Sequence, residues 1–247
     1  MSRARRAVRR VLERALDVQI IPVGTVALVF EWEHLRRFFR QFAVDCVFDV
    51  GANAGQYATM LRERVGYRGP IISYEPVPEV AARLRAAAAA DERWRVEELA
   101  LDVAEGEARL NVFNYDQFSS LHTLSAIARR YQSHVHLTRE VPVRTATLAA
   151  ELARYQALLG FSRPYLKLDT QGHDLQVAAG AGAGLGQFVG LQSELAVQRL
   201  YEEVPDFEEA LQFYRERGFE LSALVPNNLG HFPRLLEVDC IMFRRDL

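Results

Sequence analysis

The sequence predicts an α/β protein with a doubly wound, mostly parallel sheet that ends in an antiparallel edge strand. Short apolar runs alternate with helix-like segments along most of the 247 residues, an order typical of parallel strands with helices on both faces of the sheet. The first apolar run breaks into glycines and then into a helical segment, which indicates a sharp strand-to-helix turn. No helix separates the last two runs, so we expect them to pair antiparallel at the sheet edge.

The individual elements follow from the apolar periodicity. Strands are predicted at residues 46–50, 71–75, 95–101, 108–114, 165–169, 190–194, 219–225 and 239–244. Helices are predicted at residues 33–43, 57–64, 77–90, 148–159, 175–181 and 206–217. No repeat and no linker marks a second domain, so we expect an N-terminal helical extension at residues 1–44 and one domain at 45–247.

The turn after the first predicted strand carries the pattern Asp49-x-Gly51-x-Asn53-x-Gly55. Glycine lets the backbone turn sharply and approach a ligand closely because it has no Cβ atom. A dinucleotide-binding turn requires G-x-G-x-x-G, whereas here Asn53 replaces the second glycine and Gly55 comes one residue early. The acid beside the turn favours a cationic, amine-bearing ligand such as S-adenosylmethionine (SAM) over a pyrophosphate.

Composition excludes several classes of protein. The chain is 49% hydrophobic and 25% charged, as in an ordinary globular protein. A net charge of −2 argues against nucleic acid as the main partner. Cys46 and Cys240 both lie in apolar runs, which indicates core residues in a reducing, cytoplasmic compartment. No cysteine or histidine spacing typical of a metal site is present.

The N-terminal segment is basic and amphipathic. Its arginines are Arg3, Arg5, Arg6, Arg9, Arg10 and Arg14. The apolar run at 18–30 is interrupted by Pro22 and Gly24 and is too short to span a bilayer. A basic amphipathic helix can lie on an anionic membrane, which would place the protein at the inner membrane face. It can equally pack on the domain with a solvated basic face, and this second interpretation is favoured.

Polar residues end several predicted strands, where ligands bind in a doubly wound sheet. Glu75 can accept the hydroxyls of a ribose, although an acid there can also interact with a helix dipole. Asp102 can accept an adenine amino group, or it can open a turn. Asp169 can be the N-cap of the helix at Asp174, but it ends the most apolar strand, which favours a functional role. Glu194 would be costly to bury without a partner.

Four segments together resemble the FkbM-type SAM-dependent methyltransferases. They are VFDVGANAGQYA, ISYEPVPE, ALDVAEGEARLNVF and YLKLDTQGHDLQVAAGA, and the similarity runs from residue 46 to 244. The family typically has K-x-D-x-E-G-x-E in the last segment. Gln171 stands here where Glu is frequent, and His173 and Asp174 also depart from the pattern.

The resemblance implies a Rossmann-like class I methyltransferase fold and methylation of a hydroxyl group on a sugar, glycolipid or natural product. The expected cofactor-binding residues are Asp49, Gly51, Ala52, Asn53, Gly55, Tyr57, Glu75, Leu101, Asp102 and Asp169. The acceptor would be a small molecule or a glycan. Aromatic and polar residues that can line its pocket are Tyr115, Phe118, Tyr131, His134, His136, Tyr201 and the loop at 226–232.

Two versions of the chemistry stay open. A hydroxyl group needs a base, or a metal ion that lowers its pKa. His173, oriented by Asp169 or Asp174, is the first candidate for the base, and His122 is the second. In the metal version, Asp169 and Glu194 bind Mg²⁺ through hard oxygen ligands, an arrangement implied by similarity to some sugar O-methyltransferases.

Three other functions are weaker alternatives. An N-methyltransferase often carries an Asn/Asp-Pro-Pro-aromatic motif after the fourth strand, and Asp169 is not followed by one. An NAD-dependent oxidoreductase is disfavoured by the missing glycine fingerprint. A non-enzymatic, membrane-associated binding protein that keeps the fold is suggested only by the basic N-terminal segment.

Overall fold

The computed structural model describes residues 26–131, 134–226, 231 and 233–247, together with positions 12, 15, 16 and 18. Its helices are α1 (Val26–Gln41), α2 (Gln56–Met60, continued by a π-helical turn at Leu61–Val65), α3 (Pro78–Ala88), α4 (Ala126–Tyr131), α5 (Leu148–Leu159), α6 (Asp174–Ala179) and α7 (Phe207–Glu216). Its strands are β1 (Cys46–Val50), β2 (Ile71–Tyr74), β3 (Trp94–Glu97), β4 (Ala100–Asp102), β5 (Gly106–Phe113), β6 (Leu137–Thr147), β7 (Pro164–Leu168), β8 (Gly190–Ala196), β9 (Phe219–Pro226) and β10 (Glu237–Arg244).

The main sheet confirms the predicted fold class. Its strand order is β3-β2-β1-β7-β8-β10-β9. The pairs among β3, β2, β1, β7 and β8 are parallel, while β10 is antiparallel to both β8 and β9. After β1 the chain builds the sheet in one direction, and from β7 it builds in the other. The carboxyl ends of β1 and β7 therefore meet at the switch point, where α/β proteins bind ligands.

The region between β3 and β7 differs from the prediction. The single strand predicted at 95–101 is two strands in different sheets, because β3 pairs with β2 and β4 pairs with β6. Strands β4, β6 and β5 form a separate three-stranded sheet beside the main one. Strand β6 was not predicted. It contains Pro142 and is exposed over most of its length, so it lacks the apolar run on which the prediction depended.

Alternate residues of the central strands pack on opposite faces of the sheet. Phe48 belongs to the core beneath α5, α6 and α7, and its neighbour Val47 belongs to the core beneath α1 and α2. Helix α1 buries Leu35 and Phe38 in this second core, with the Phe38 ring 5.4 Å from that of Tyr165. The predicted extension at 1–44 thus includes a helix that covers one face of the main sheet.

The arginine-rich part of the N-terminal segment lies outside the described residues. Of the described positions, Leu12 and Leu16 are helical and exposed, with 42% and 64% of their surface accessible. No helix within the described part of the chain is long and apolar enough to cross a membrane. Peripheral membrane contact through this segment stays a prediction. The predicted pocket loop at 226–232 likewise falls mostly outside the described residues.

Candidate functional site

A cavity of about 250 Å³ lies at the carboxyl ends of the central strands. Its wall is built from the turn after β1, the residues after β2, strand β4, the loop around residues 117–121, the loop after β7, Glu194 near the end of β8 and Glu237 at the start of β10. Four carboxylates line it, namely Glu75, Asp169, Glu194 and Glu237, and no lysine or arginine among the described residues does so. The cavity therefore suits a ligand that carries positive charge.

The glycine turn is fixed by backbone contacts. The N–H groups of Gly51 and Ala52 both donate to the carbonyl oxygen of Tyr74, at 3.1 and 3.0 Å. Gly51 has a φ angle of +78°, and a Cβ atom built there would lie 1.9 Å from the carbonyl oxygen of Asp169. Only glycine thus allows the ends of β1 and β7 to approach this closely. A Cβ atom at Gly55 would instead meet the ring of Trp94.

Glu75 stands beside this turn. Its carboxylate accepts hydrogen bonds from the backbone N–H of Asn53 at 3.0 Å and of Val77 at 2.9 Å. The side chain is almost fully buried and lines the cavity. Two backbone donors fix its orientation, so the position of the carboxylate is preorganised for a ligand.

Several predicted cofactor residues lie outside the cavity lining. Asp49 is 1% exposed and accepts a hydrogen bond from the hydroxyl of Ser73, which also accepts from the indole N–H of Trp94. Burial raises the pKa of Asp49 to about 6. Tyr57 donates its hydroxyl proton to Gln192 on the face covered by α1. The predicted residues that do line the cavity are Gly51, Asn53, Glu75, Leu101 and Asp169.

A buried lysine neutralises part of the acidic wall. The Nζ atom of Lys167 lies 3.0 Å from the carbonyl oxygen of Leu168 and 3.4 Å from a carboxylate oxygen of both Asp169 and Asp239. Burial alone would lower the pKa of Lys167, but the negative charges of Asp169, Asp239, Glu194 and Asp174 together outweigh this effect and raise it. Burial also raises the pKa of Asp239 to about 6.

Gln171 joins two carboxylates of the cavity. Its amide Nε2 donates to Asp169 at 3.0 Å and to Glu194 at 2.8 Å. Its Oε1 accepts from the hydroxyl of Tyr201 at 2.8 Å. Because both amide hydrogens are given to the two predicted magnesium ligands, these residues do not fit a magnesium ion in this arrangement. Within the described residues, no group of three or more His, Cys, Asp or Glu residues could hold a metal.

Glu194 and Glu237 form an acidic pair on one face of the sheet. Glu194 is opposite Asp239 in the β8–β10 pair, and Glu237 stands two residues before Asp239, so the three side chains share a face. Burial, and next the charge of Glu237, raise the pKa of Glu194 well above its usual value. Sequence reasoning missed Glu237. The available signal was its two-residue spacing from Asp239 at the start of an apolar run.

The predicted base His173 is held by other side chains. Its Nε2 lies 3.0 Å from Asp102 Oδ1, and its Nδ1 lies 3.1 Å from Nε2 of His122. Burial lowers the pKa of His122, and the neighbouring His173 lowers it further. The structure thus brings the two candidate histidines together, but with Asp102 rather than with Asp169. Asp174 is instead buried and accepts hydrogen bonds from Thr170 and Ser193.

A family model and several solved structures match the chain. The family model described as "Methyltransferase FkbM domain" matches residues 49–221. The crystal structure of methyltransferase FkbM from Methylobacillus flagellatus KT is similar with a TM-score of 0.50 at 10% sequence identity, over 81% of this chain and 43% of that one. At this identity the likeness supports the fold alone.

Two further solved structures are similar at lower TM-scores. One is a putative rRNA methylase from Clostridium thermocellum, with a TM-score of 0.43 and 11% identity over 86% of this chain and 94% of that one. The other is the magnesium protoporphyrin IX methyltransferase ChlM from Synechocystis PCC 6803 with bound SAM, with a TM-score of 0.45 and 8% identity over 99% and 98%. No curated protein matches the chain.

Proposed function

Because the chain belongs to the FkbM family of class I, SAM-dependent methyltransferases, we propose that it methylates a hydroxyl group of a sugar, glycolipid or natural product. The cavity at the switch point carries this proposal. It places Glu75 beside the glycine turn and puts Asp169, Glu194 and Glu237 further along the same wall. The part of the wall beside the glycine turn suits a nucleoside, and the part with the three other carboxylates suits proton removal from an acceptor.

The residues present fit SAM. Glu75 would accept from the ribose hydroxyls, Leu101 would contact the adenine, and the turn at Gly51 and Asn53 would approach the amino-acid part. The acidic lining favours a ligand that carries a sulfonium and an ammonium group. Bound SAM supplies an electrophilic methyl group. The protein then has to align an acceptor oxygen with that group and take its proton.

Glu194 is the base that the geometry favours. Both ring nitrogens of His173 already have partners in the chain, and both oxygens of Asp169 are held, one by Gln171 and the other by the cationic Lys167. Glu194 lines the cavity, and burial raises its pKa, which makes it a stronger base than an exposed carboxylate. Glu194 would accept the proton of the acceptor hydroxyl as that oxygen takes up the methyl group that bound SAM would supply.

His173 then has a positioning role. It joins Asp102 at the end of β4 to His122 in the loop that covers the cavity. Ser120 in the same loop donates its hydroxyl proton to the carbonyl oxygen of Gln171. These contacts hold the loop against the strand ends at the cavity.

N-methylation of an amine is the second candidate. It is favoured by the four carboxylates of the cavity wall, which can hold an acceptor that carries an ammonium group. The same carboxylates can take the proton that an amine loses before it attacks the methyl group. The atom that is methylated decides between the two proposals.

Calorimetric titration with SAM, and separately with NAD, tests the first step. We expect SAM to bind, NAD to give no heat, and Glu75→Gln to weaken SAM binding by about 10- to 100-fold, because a charge-assisted hydrogen bond contributes about 1.5–3 kcal/mol. Glu107→Gln, at an exposed residue of β5, is the matched control. Paired acceptors that differ only in a hydroxyl or an amino group, with the product identified by NMR, test the second step. Absence of SAM binding would refute both candidates.

A further inference from the structure

Every polar group of the Gln171 side chain is engaged, and two of its three partners, Asp169 and Glu194, line the cavity. The amide Nε2 bridges Asp169 and Glu194, at 3.0 and 2.8 Å. The amide oxygen accepts from Tyr201, whose ring is buried and whose hydroxyl also reaches the carbonyl oxygen of Phe118. The orientation of the amide is therefore determined, since its oxygen faces a donor and its nitrogen faces two acceptors.

The backbone at Gln171 is strained to allow these contacts. Its φ angle is +54°, in the left-handed region that residues with a Cβ atom rarely adopt. Its carbonyl oxygen accepts from the hydroxyl of Ser120 at 2.7 Å, and Gly172 follows with a φ angle of +95°. Strain of this kind costs roughly 1–3 kcal/mol and persists where surrounding contacts enforce it. The fold thus holds this one amide between the two carboxylates.

The amide lies where a cation would otherwise bind. Two carboxylates that converge on one point repel each other unless a cation or hydrogen-bond donors lie between them. Nε2 supplies two donors there, and Lys167 supplies a positive charge at 3.4 Å from the other oxygen of Asp169. A divalent cation would have to displace the amide from both carboxylates and would itself be repelled by Lys167.

We propose that Gln171 is a positioning residue that takes the place of a divalent cation between Asp169 and Glu194, so that methyl transfer by this protein requires no metal ion. The statement about methyl transfer rests on the proposed function, whereas the statement about metal binding does not. Gln171 fixes the positions of the two carboxylates and, unlike a metal ion, adds no positive charge to that of Lys167. Glu194 therefore keeps the ability to accept a proton, which a bound cation would weaken.

The experiment compares Mn²⁺ binding to the wild type and to Gln171→Glu, by electron paramagnetic resonance of the free ion. The substitution replaces the two donors with a third carboxylate oxygen ligand, so we expect it to bind Mn²⁺ at least about tenfold more tightly, with a Kd below ~1 mM. Gln212→Glu, which adds the same charge at an exposed residue of α7, is the matched control and should bind no better than the wild type. Glu194→Gln added to Gln171→Glu should remove the gained affinity.

Three outcomes would overturn the proposal. They are tight Mn²⁺ binding by the wild type that Glu194→Gln abolishes, absence of any gain in Gln171→Glu, and loss of wild-type methyl transfer on chelation with recovery on adding Mg²⁺. Circular dichroism shows whether Gln171→Glu folds. If it does not, the wild type and Glu194→Gln decide, because equal and weak Mn²⁺ binding by both supports the proposal. Failure of SAM binding would refute the proposed function and leave the result on the metal unaffected.

Discussion

The two halves of the cavity wall are built in different ways. The cofactor wall, proposed to hold SAM, is formed by Gly51, Asn53 and Glu75. It is held by backbone groups, since N–H donors fix both the turn and the carboxylate. The catalytic wall, proposed to take the acceptor proton, is formed by Asp169, Gln171, Glu194 and Glu237, and side-chain contacts of Gln171 join Asp169 to Glu194. A change in the cofactor wall should therefore disturb the fold, whereas a change in the catalytic wall should mainly disturb the chemistry.

Gly51→Ala should have the largest effect. The new Cβ atom would lie 1.9 Å from the carbonyl oxygen of Asp169, and a φ angle of +78° already disfavours alanine. Because backbone cannot move aside cheaply, we expect the free energy of unfolding to fall by more than ~3 kcal/mol and SAM binding to be lost. Urea denaturation and calorimetry measure the two effects.

Gly66→Ala separates the clash from the backbone strain. Gly66 has a similar φ angle of +80°, but a Cβ atom there would meet nothing within 4 Å. The strain alone costs about 1–2 kcal/mol, so this variant should fold and bind SAM as the wild type does. Equal destabilisation by the two substitutions would mean that Gly51 is needed only for its positive φ angle and not for the close approach of β1 to β7.

Glu194→Gln tests the catalytic wall at its proposed base. Gln has nearly the same shape and cannot accept the proton, so we expect the rate of methyl transfer to fall by about 10²- to 10⁴-fold. SAM affinity and the melting temperature should change little, since Glu194 lies away from the cofactor wall. A loss of SAM binding equal to that of Glu75→Gln would mean that the two walls do not act separately.

The difference between backbone contacts in one wall and side-chain contacts in the other also explains what could be predicted from the sequence. The strand at 46–50, its glycine turn and the helix at 148–159 were predicted with the correct bounds, because their signals are local runs of apolar residues, glycine and alanine. The position of Glu75 follows from the strand that precedes it. The hydrogen bonds of the cofactor wall come from backbone N–H groups at the ends of neighbouring parallel strands, so local pattern and parallel-sheet geometry suffice.

The catalytic wall depends on contacts between side chains of different segments, which the backbone geometry of the sheet does not specify. The Gln171–Glu194 and Gln171–Tyr201 hydrogen bonds span 23 and 30 residues, and the His173–Asp102 pair spans 71. No local pattern encodes such pairs, so His173 was predicted as a base oriented by Asp169 or Asp174. The small sheet was missed for a related reason, since β6 is polar, contains Pro142 and is specified by pairing with β4 and β5.

Asp49→Asn tests whether the acid beneath the cofactor wall stabilises the fold or contacts SAM. The folded protein holds the pKa of Asp49 at about 6, above the usual value near 3.8, so the protonated form is favoured on folding. Wild-type stability should therefore fall as the pH rises from about 4 to 6 and then level off. One pKa unit corresponds to 1.36 kcal/mol, so the cost of the ionised form above pH 6 approaches ~3 kcal/mol.

Asn removes that cost and can still accept from Ser73, so the variant should gain stability relative to the wild type as the pH rises. Urea denaturation at pH 4, 5, 6 and 7 measures the difference. SAM affinity should change less than that of Glu75→Gln, because Asp49 does not line the cavity. A larger loss of SAM affinity in Asp49→Asn would support the cofactor-binding role that the sequence predicted. A difference in stability between the variant and the wild type that does not change with pH would contradict the raised pKa of Asp49.

Glu237→Gln should have the smallest effect, because it changes the pH at which the base works and leaves the base in place. Burial raises the pKa of Glu194, and the charges of Glu237, Asp169 and Asp239 raise it further, while Lys167 lowers it. A base must be deprotonated to act, so the rate rises with pH through the pKa of Glu194.

Removing the charge of Glu237 lowers that pKa and should move this rise to lower pH, with a similar rate at the plateau. The pH profile of kcat/KM measures the movement. A pH profile that keeps its midpoint but reaches a lower plateau would contradict this role. It would mean that Glu237 contacts the acceptor and does not shift the pKa of Glu194.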